Sequence, residues 1–130
     1  MNYAELLTLA IKGMDNAYAP YSNFRVGAAL LTKSGKVYIG SNVENGSYGA
    51  TICAERTAIV KAVSDGERDF EAIAIVSSSN KATFPCGICL QVISEFMPTG
   101  KVIIQNHEEP IEIYSLSDLL PKAFIINDIV

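Results

Sequence analysis

Two short phrases, Cys53-Ala54-Glu55-Arg56 and Pro85-Cys86-Gly87-Ile88-Cys89, hold all three cysteines of this 130-residue chain. They restrict its fold more than any other feature. The first sets a soft ligand two residues ahead of a carboxylate, and the second is a Cys-x-x-Cys behind a proline. Three thiolates fill three corners of a tetrahedral zinc site and leave the fourth for water. A glutamate beside that position is placed to move protons. To share one ion, two segments far apart in the chain have to meet in the fold.

Other uses of the cysteines stay open at this point. A Cys-x-x-Cys alone also suits a structural zinc half-site, a redox pair or two buried thiols. A structural zinc site usually takes four protein ligands. The only histidine, His107, falls in a polar turn between two expected strands, far in sequence from both phrases. A thioredoxin-like pair is disfavoured by position, because the motif comes late and a third cysteine precedes it.

With 49% apolar and 18% charged residues the chain reads as one compact domain over 1–130. Its net charge of −4 and its scattered lysines argue against a nucleic-acid polymer as partner, since phosphate contacts need clustered Lys and Arg. The N-terminus lacks the basic region of a signal peptide, and no apolar run is long enough for a membrane span. An odd cysteine count with a Cys-x-x-Cys fits a reducing compartment, so the cytoplasm is expected.

Hydrophobic spacing predicts a helix over 3–17, with Leu6, Leu7, Ala10, Ile11 and Met14 on one face. A hairpin follows, with strands over 24–31 and 37–43 joined by Lys33-Ser34-Gly35-Lys36. A helix is expected from near Cys53 to about Ser64, and a buried strand over 72–76. Another helix is expected over 87–96, then strands over 102–105 and 111–115, a short helix over 117–121 and a tail. Alternation of strand and helix after the hairpin implies parallel pairing through crossovers. The expected architecture is α/β, a mixed sheet of about five strands covered by helices in three layers. Both cysteine phrases fall at loop-to-helix junctions, where the positive end of a helix stabilises thiolates. Three thiolates around Zn²⁺ leave a formal charge of −1. Arg56, directly after Glu55, is the cation placed to offset it by donating to a thiolate sulfur.

The chain resembles the cytidine deaminase family, in its homotetrameric three-cysteine form. The resemblance rests on Tyr18-x-Pro20-Tyr21-Ser22-x-Phe24-x-Val26-Gly27-Ala28-Ala29, then Asn42-Val43-Glu44-Asn45, then Cys53-Ala54-Glu55-Arg56-Thr57-Ala58 and Pro85-Cys86-Gly87-x-Cys89-x-Gln91. Leu119-Leu120-Pro121-x-x-Phe124 extends it over about residues 3–124. It implies zinc held by Cys53, Cys86 and Cys89, with Glu55 as the catalytic proton shuttle. It implies hydrolysis of cytidine and 2′-deoxycytidine to uridine and 2′-deoxyuridine, with release of ammonia, in pyrimidine salvage. Phe24 resembles the aromatic that packs on the pyrimidine, and Asn42 and Glu44 the pair that binds the ribose hydroxyl. The backbone at Ala54, with Glu55, resembles the reader of the base edge. Phe124 resembles an aromatic that enters a neighbouring subunit's site. The plainer alternatives are a core strand residue for Phe24, turn formers for Asn42 and Glu44, and packing within its own subunit for Phe124. The chain departs from the family at Leu90, where Arg is common, at Arg25, where Pro is frequent, and at Gly49, which replaces a frequent proline. Leu90 keeps open a different aminopyrimidine nucleoside, of the blasticidin S type, as substrate.

Overall fold

The structure, a computed structural model, describes residues 1–105 and 109–126. His107 and most of the expected turn around it lie outside the described residues. The first helix, α1, spans Tyr3–Asp15. Asn2 caps it, its side chain accepting the Glu5 N–H at 2.8 Å, and Leu6, Leu7, Ala10 and Gly13 form the buried face. It stops two residues before the expected end because Tyr18 is drawn off to the sheet. The Tyr18 N–H donates to the Asn42 carbonyl at 2.9 Å, and the Tyr18 carbonyl accepts from the Glu44 N–H at 2.8 Å.

Five strands follow in one sheet: β1 (Val26–Thr32), β2 (Val37–Ser41), β3 (Phe70–Ser77), β4 (Lys101–Ile104) and β5 (Glu112–Ser115). Their spatial order is β2-β1-β3-β4-β5. The β1–β2 hairpin turns at Gly35, whose φ of 94° lies in the left-handed region that glycine enters freely. Helix α2 (Ala54–Ser64) joins β2 to β3, α3 (Gly87–Phe96) joins β3 to β4, and the short α4 (Leu116–Leu119) follows β5.

Among the five described strands, only β3 and β4 pair in parallel, less than the strand–helix alternation implies. The connection through α2 does lead to a strand running the same way as β2. However, β1 lies between them and is antiparallel to both. The unit is a split βαβ, its central slot filled by the hairpin partner.

Alternation along the strands sorts the core into two layers. Val26, Ala28 and Leu30 of β1, Ile73 and Ile75 of β3, and Val102 and Ile104 of β4 pack with α2 and α3. Ala29, Leu31, Ala72, Ala74, Val76 and Ile103 pack with α1 on the other face. Since both faces are covered, β1 is buried throughout and reads as a continuous apolar run.

Because β2 and β3 run the same way, their C-terminal ends lie at one edge of the sheet. Each hands the chain to a helix N-terminus there, and those two N-termini carry the cysteine phrases. Gly40 brings α2 close. A Cβ at this position would meet the Ala54 carbonyl oxygen at 2.3 Å and the Ala58 nitrogen at 2.6 Å, so only glycine lets the first turn of α2 rest on β2.

Candidate active site

Cys53 and Cys86 are the residues immediately preceding α2 and α3, each in extended backbone, and Cys89 lies one turn into α3. Their three sulfurs all lie within 4.8 Å of one another, with Cys53 and Cys86 4.0 Å apart. A tetrahedral zinc with Zn–S of about 2.3 Å would set sulfurs about 3.8 Å apart. The donor set therefore fits a zinc ion bound by three protein ligands. Cys86 is exposed, Cys53 partly buried and Cys89 buried, so the cluster reaches from the surface into the core.

Its electrostatics favour thiolate. The Cys53 thiol is lowered to about 5, first by the hydrogen bond from the Cys89 thiol and then by Arg56. Cys89 moves in the opposite direction, raised by the same bond and by burial. The Arg56 Nη2 donates to the Cys53 sulfur at 3.6 Å, the contact expected from the sequence. Its Nε is buried with no hydrogen-bond partner among the described residues. A half-buried guanidinium so placed is compensated by an anionic sulfur centre beside it.

Glu55, in the first turn of α2, is 4% exposed. Burial pushes its carboxyl up to about 7. It faces the same cavity as Cys53 and Cys86, a space of about 260 Å³. Apolar and aromatic residues, Phe24, Val26, Ile52 and Phe84, line the same cavity, together with the polar Ser22, Asn42, Glu44 and Thr83. Ala54, fully buried, lines it as well.

Phe24 is no core strand residue. It is 38% exposed and precedes β1, which begins at Val26 rather than at residue 24. Asn42 accounts for that start: its Oδ1 accepts the Val26 N–H at 2.9 Å and its Nδ2 donates to the Phe24 carbonyl at 2.8 Å. One N–H and one lone pair of the amide are left for a ligand. Glu44 is likewise tied to the loop before it. Its Oε1 accepts the Tyr21 and Ser22 N–H groups at 2.9 and 3.1 Å, and its Oε2 accepts the Ser22 hydroxyl. Both residues therefore shape the local backbone and line the cavity. Strand β2 ends at Ser41, short of the expected residue 43, because Val43 pairs instead with Ile52, just ahead of Cys53.

Two sequence-expected residues lie elsewhere. Phe124 is absent from this cavity's lining; it borders a separate groove with Ser94, Glu95 and Pro98, its carbonyl accepting from Gln91 Nε2 at 3.1 Å. Leu90 packs against the core cluster under α2 and α3 and does not line the cavity. Phe84 and Ser22 are cavity residues to which the sequence reading gave no role. Ser22 stood inside a quoted phrase. Phe84 gave a weaker signal, an aromatic in a polar loop next to a ligand. It is braced edge-to-face by Tyr114, with ring centroids 5.4 Å apart.

Comparison with known proteins adds four findings. The family model for the cytidine and deoxycytidylate deaminase zinc-binding region matches residues 1–106. A cytidine deaminase of Halalkalibacterium halodurans is 48% identical over 129 residues, covering 98% of each chain. The crystal structure of a cytidine deaminase from Burkholderia pseudomallei superposes with a TM-score of 0.91 at 47% identity, covering 95% of this chain and all of that one. A blasticidin-S deaminase of Bacillus cereus is a more distant relative, 30% identical over 95% of this chain and 92% of its own.

Proposed function

The chain belongs to the cytidine and deoxycytidylate deaminase family of zinc proteins, and from that premise we propose that it hydrolyses cytidine and 2′-deoxycytidine to uridine and 2′-deoxyuridine. The observation that carries this reading is a cluster of three sulfurs, two of whose cysteines line, with a buried glutamate, a cavity whose other residues suit a nucleoside. Zinc bound to Cys53, Cys86 and Cys89 supplies Lewis acidity and a strong nucleophile at neutral pH.

The chain's own groups do the rest. Glu55 takes one proton from the attacking water and delivers it to the ring nitrogen N3, then takes the remaining proton of the hydroxyl now on C4 and delivers it to the departing amine, leaving the C4 carbonyl. The bond from C4 to the amino nitrogen breaks, a bond from C4 to the water oxygen forms, and ammonia leaves. A carboxyl with its proton held near neutral pH serves both as acceptor and as donor. Phe24 packs on the face of the base, and the Ala54 backbone reads its edge. Asn42 and Glu44 accept from and donate to the sugar hydroxyls; a carboxylate at that end repels a phosphate, which favours nucleosides over nucleotides. Arg56 steadies the sulfur cluster.

The unit we propose is a single domain that works as a homotetramer, with Phe124 completing a neighbour's site. Its support is the exposure of large apolar side chains, among them Tyr48, Ile88, Phe124, Ile125 and Ile126. The reaction belongs to pyrimidine salvage, and the three free thiols fit a cytoplasmic setting. Among the described residues no helix is long and apolar enough to cross a membrane.

Ammonia release by the zinc-loaded protein tests the assignment across cytidine, 2′-deoxycytidine, cytosine, CMP, adenosine and blasticidin S. Turnover of both cytidine nucleosides, with cytosine and CMP poor, is the expected result. Turnover of blasticidin S without cytidine would move the chain to its distant relative's substrate.

A further inference from the structure

We infer that Ser22 is a positioning residue for the sugar end of the cavity, its hydroxyl setting the orientation in which the Glu44 carboxylate meets the ribose. The inference rests on the proposed ribose role of Glu44 and deepens it. Ser22 lies between two cavity residues. Its Oγ accepts the Phe24 N–H at 3.0 Å, so the one hydroxyl proton is directed elsewhere, and it goes to Glu44 Oε2. With the Tyr21 and Ser22 amides on Oε1, three donors converge on one carboxylate. A carboxylate has about four lone-pair sites. Those on Oε1 are filled, so the acceptor capacity that remains belongs to Oε2, the atom Ser22 orients.

The loop is built for this arrangement. Asn23, between Ser22 and Phe24, has φ of 56°, a left-handed conformation uncommon outside glycine, and its N–H closes the turn on the Ala19 carbonyl at 3.0 Å. That turn brings the Ser22 hydroxyl back over its own chain to reach both Phe24 and Glu44. The Glu44 carboxyl is correspondingly held below its usual range, mainly by the Ser22 hydroxyl. Phe24, by contrast, keeps a second tether through its carbonyl to Asn42. Loss of the Ser22 hydroxyl therefore removes the bond that orients Oε2, with the two amides still on Oε1, while Asn42 keeps the aromatic wall in place.

The test compares Ser22→Ala, Ser22→Thr and Glu44→Gln in the zinc-loaded protein. It reads kcat and KM for cytidine, and Ki for 2′,3′-dideoxycytidine, which lacks both sugar hydroxyls near this end. A hydrogen bond to a charged group is worth roughly tenfold or more in an equilibrium. Ser22→Ala is expected to raise the cytidine KM about tenfold, with a smaller effect on kcat, and to change the dideoxycytidine Ki by less than about twofold. Ser22→Thr, which keeps the hydroxyl, should recover most of the loss. An equal loss on both ligands, or none on either, would overturn the inference, since a merely structural serine gives the first result. The Glu44→Gln arm separates the two claims. If it weakens both ligands equally, the ribose role of Glu44 fails. If it is selective for cytidine and Ser22→Ala is not, the ribose role stands and the positioning role of Ser22 falls.

Discussion

Arg56 and Glu44 illustrate how single side chains hold this site. Arg56 donates to the Cys53 sulfur, which helps keep that thiol in its ionised form. Groups that orient a metal ligand typically affect metal affinity 10–100-fold. Arg56→Ala is expected to weaken zinc retention by about that factor, read by competition with a chelator; retention equal to the parent protein would remove the role. Glu44 holds residues 21–24 through its ionised form, and its carboxyl lies below the ordinary 4.5. The sign follows: the docked loop is fully present above that ordinary value and is lost as pH falls through the lower value in the folded protein. The Tyr21 and Ser22 amide resonances should therefore titrate together on acidification, with a midpoint below 4.5. Independent midpoints, or none, would mean that the carboxylate does not hold the loop.

Among the elements, α2 is the one whose placement decides the site. It carries Cys53 at its cap and Glu55 in its first turn, and Gly40 of β2 allows it to lie where it does. Gly40→Ala pushes against the Ala54 carbonyl and the Ala58 nitrogen, which are backbone and cannot rotate away. The expected outcome is a folded protein by circular dichroism that has lost zinc stoichiometry and activity together; retention of both would show that α2 has slack. Element existence and type were readable in the sequence, because long periodic runs such as Leu6 to Met14 and the apolar run from Ala72 to Val76 leave little choice. Ends and pairings were less readable. The side chain of Asn42 sets the start of β1, and Tyr18 ends α1, through contacts distant in sequence. Nothing local announces that β1 would insert between β2 and β3.

For the whole molecule, the topology does the assembling: two strands running the same way deliver two helix N-termini to one edge, and three sulfurs that could hold a metal ion come with them. The meeting of the three cysteines was legible because cysteines and a carboxylate at fixed spacing have few other uses. The Phe84 wall was not, because its place depends on how the loop before Cys86 folds against Tyr114. Phe124 belongs to this largest scale too. It lies outside the cavity of its own chain, so on the proposed tetramer Phe124→Ala is expected to lower activity with the sedimentation of the parent protein unchanged; full activity would leave a neighbouring copy no part in the site. The central claim is that three cysteines hold zinc while Glu55 moves the protons. Its most direct test is zinc content and cytidine turnover measured together on Glu55→Gln. One zinc per chain with turnover lowered about 10²–10⁴-fold is the predicted result. Turnover near that of the parent protein at full zinc occupancy would contradict it.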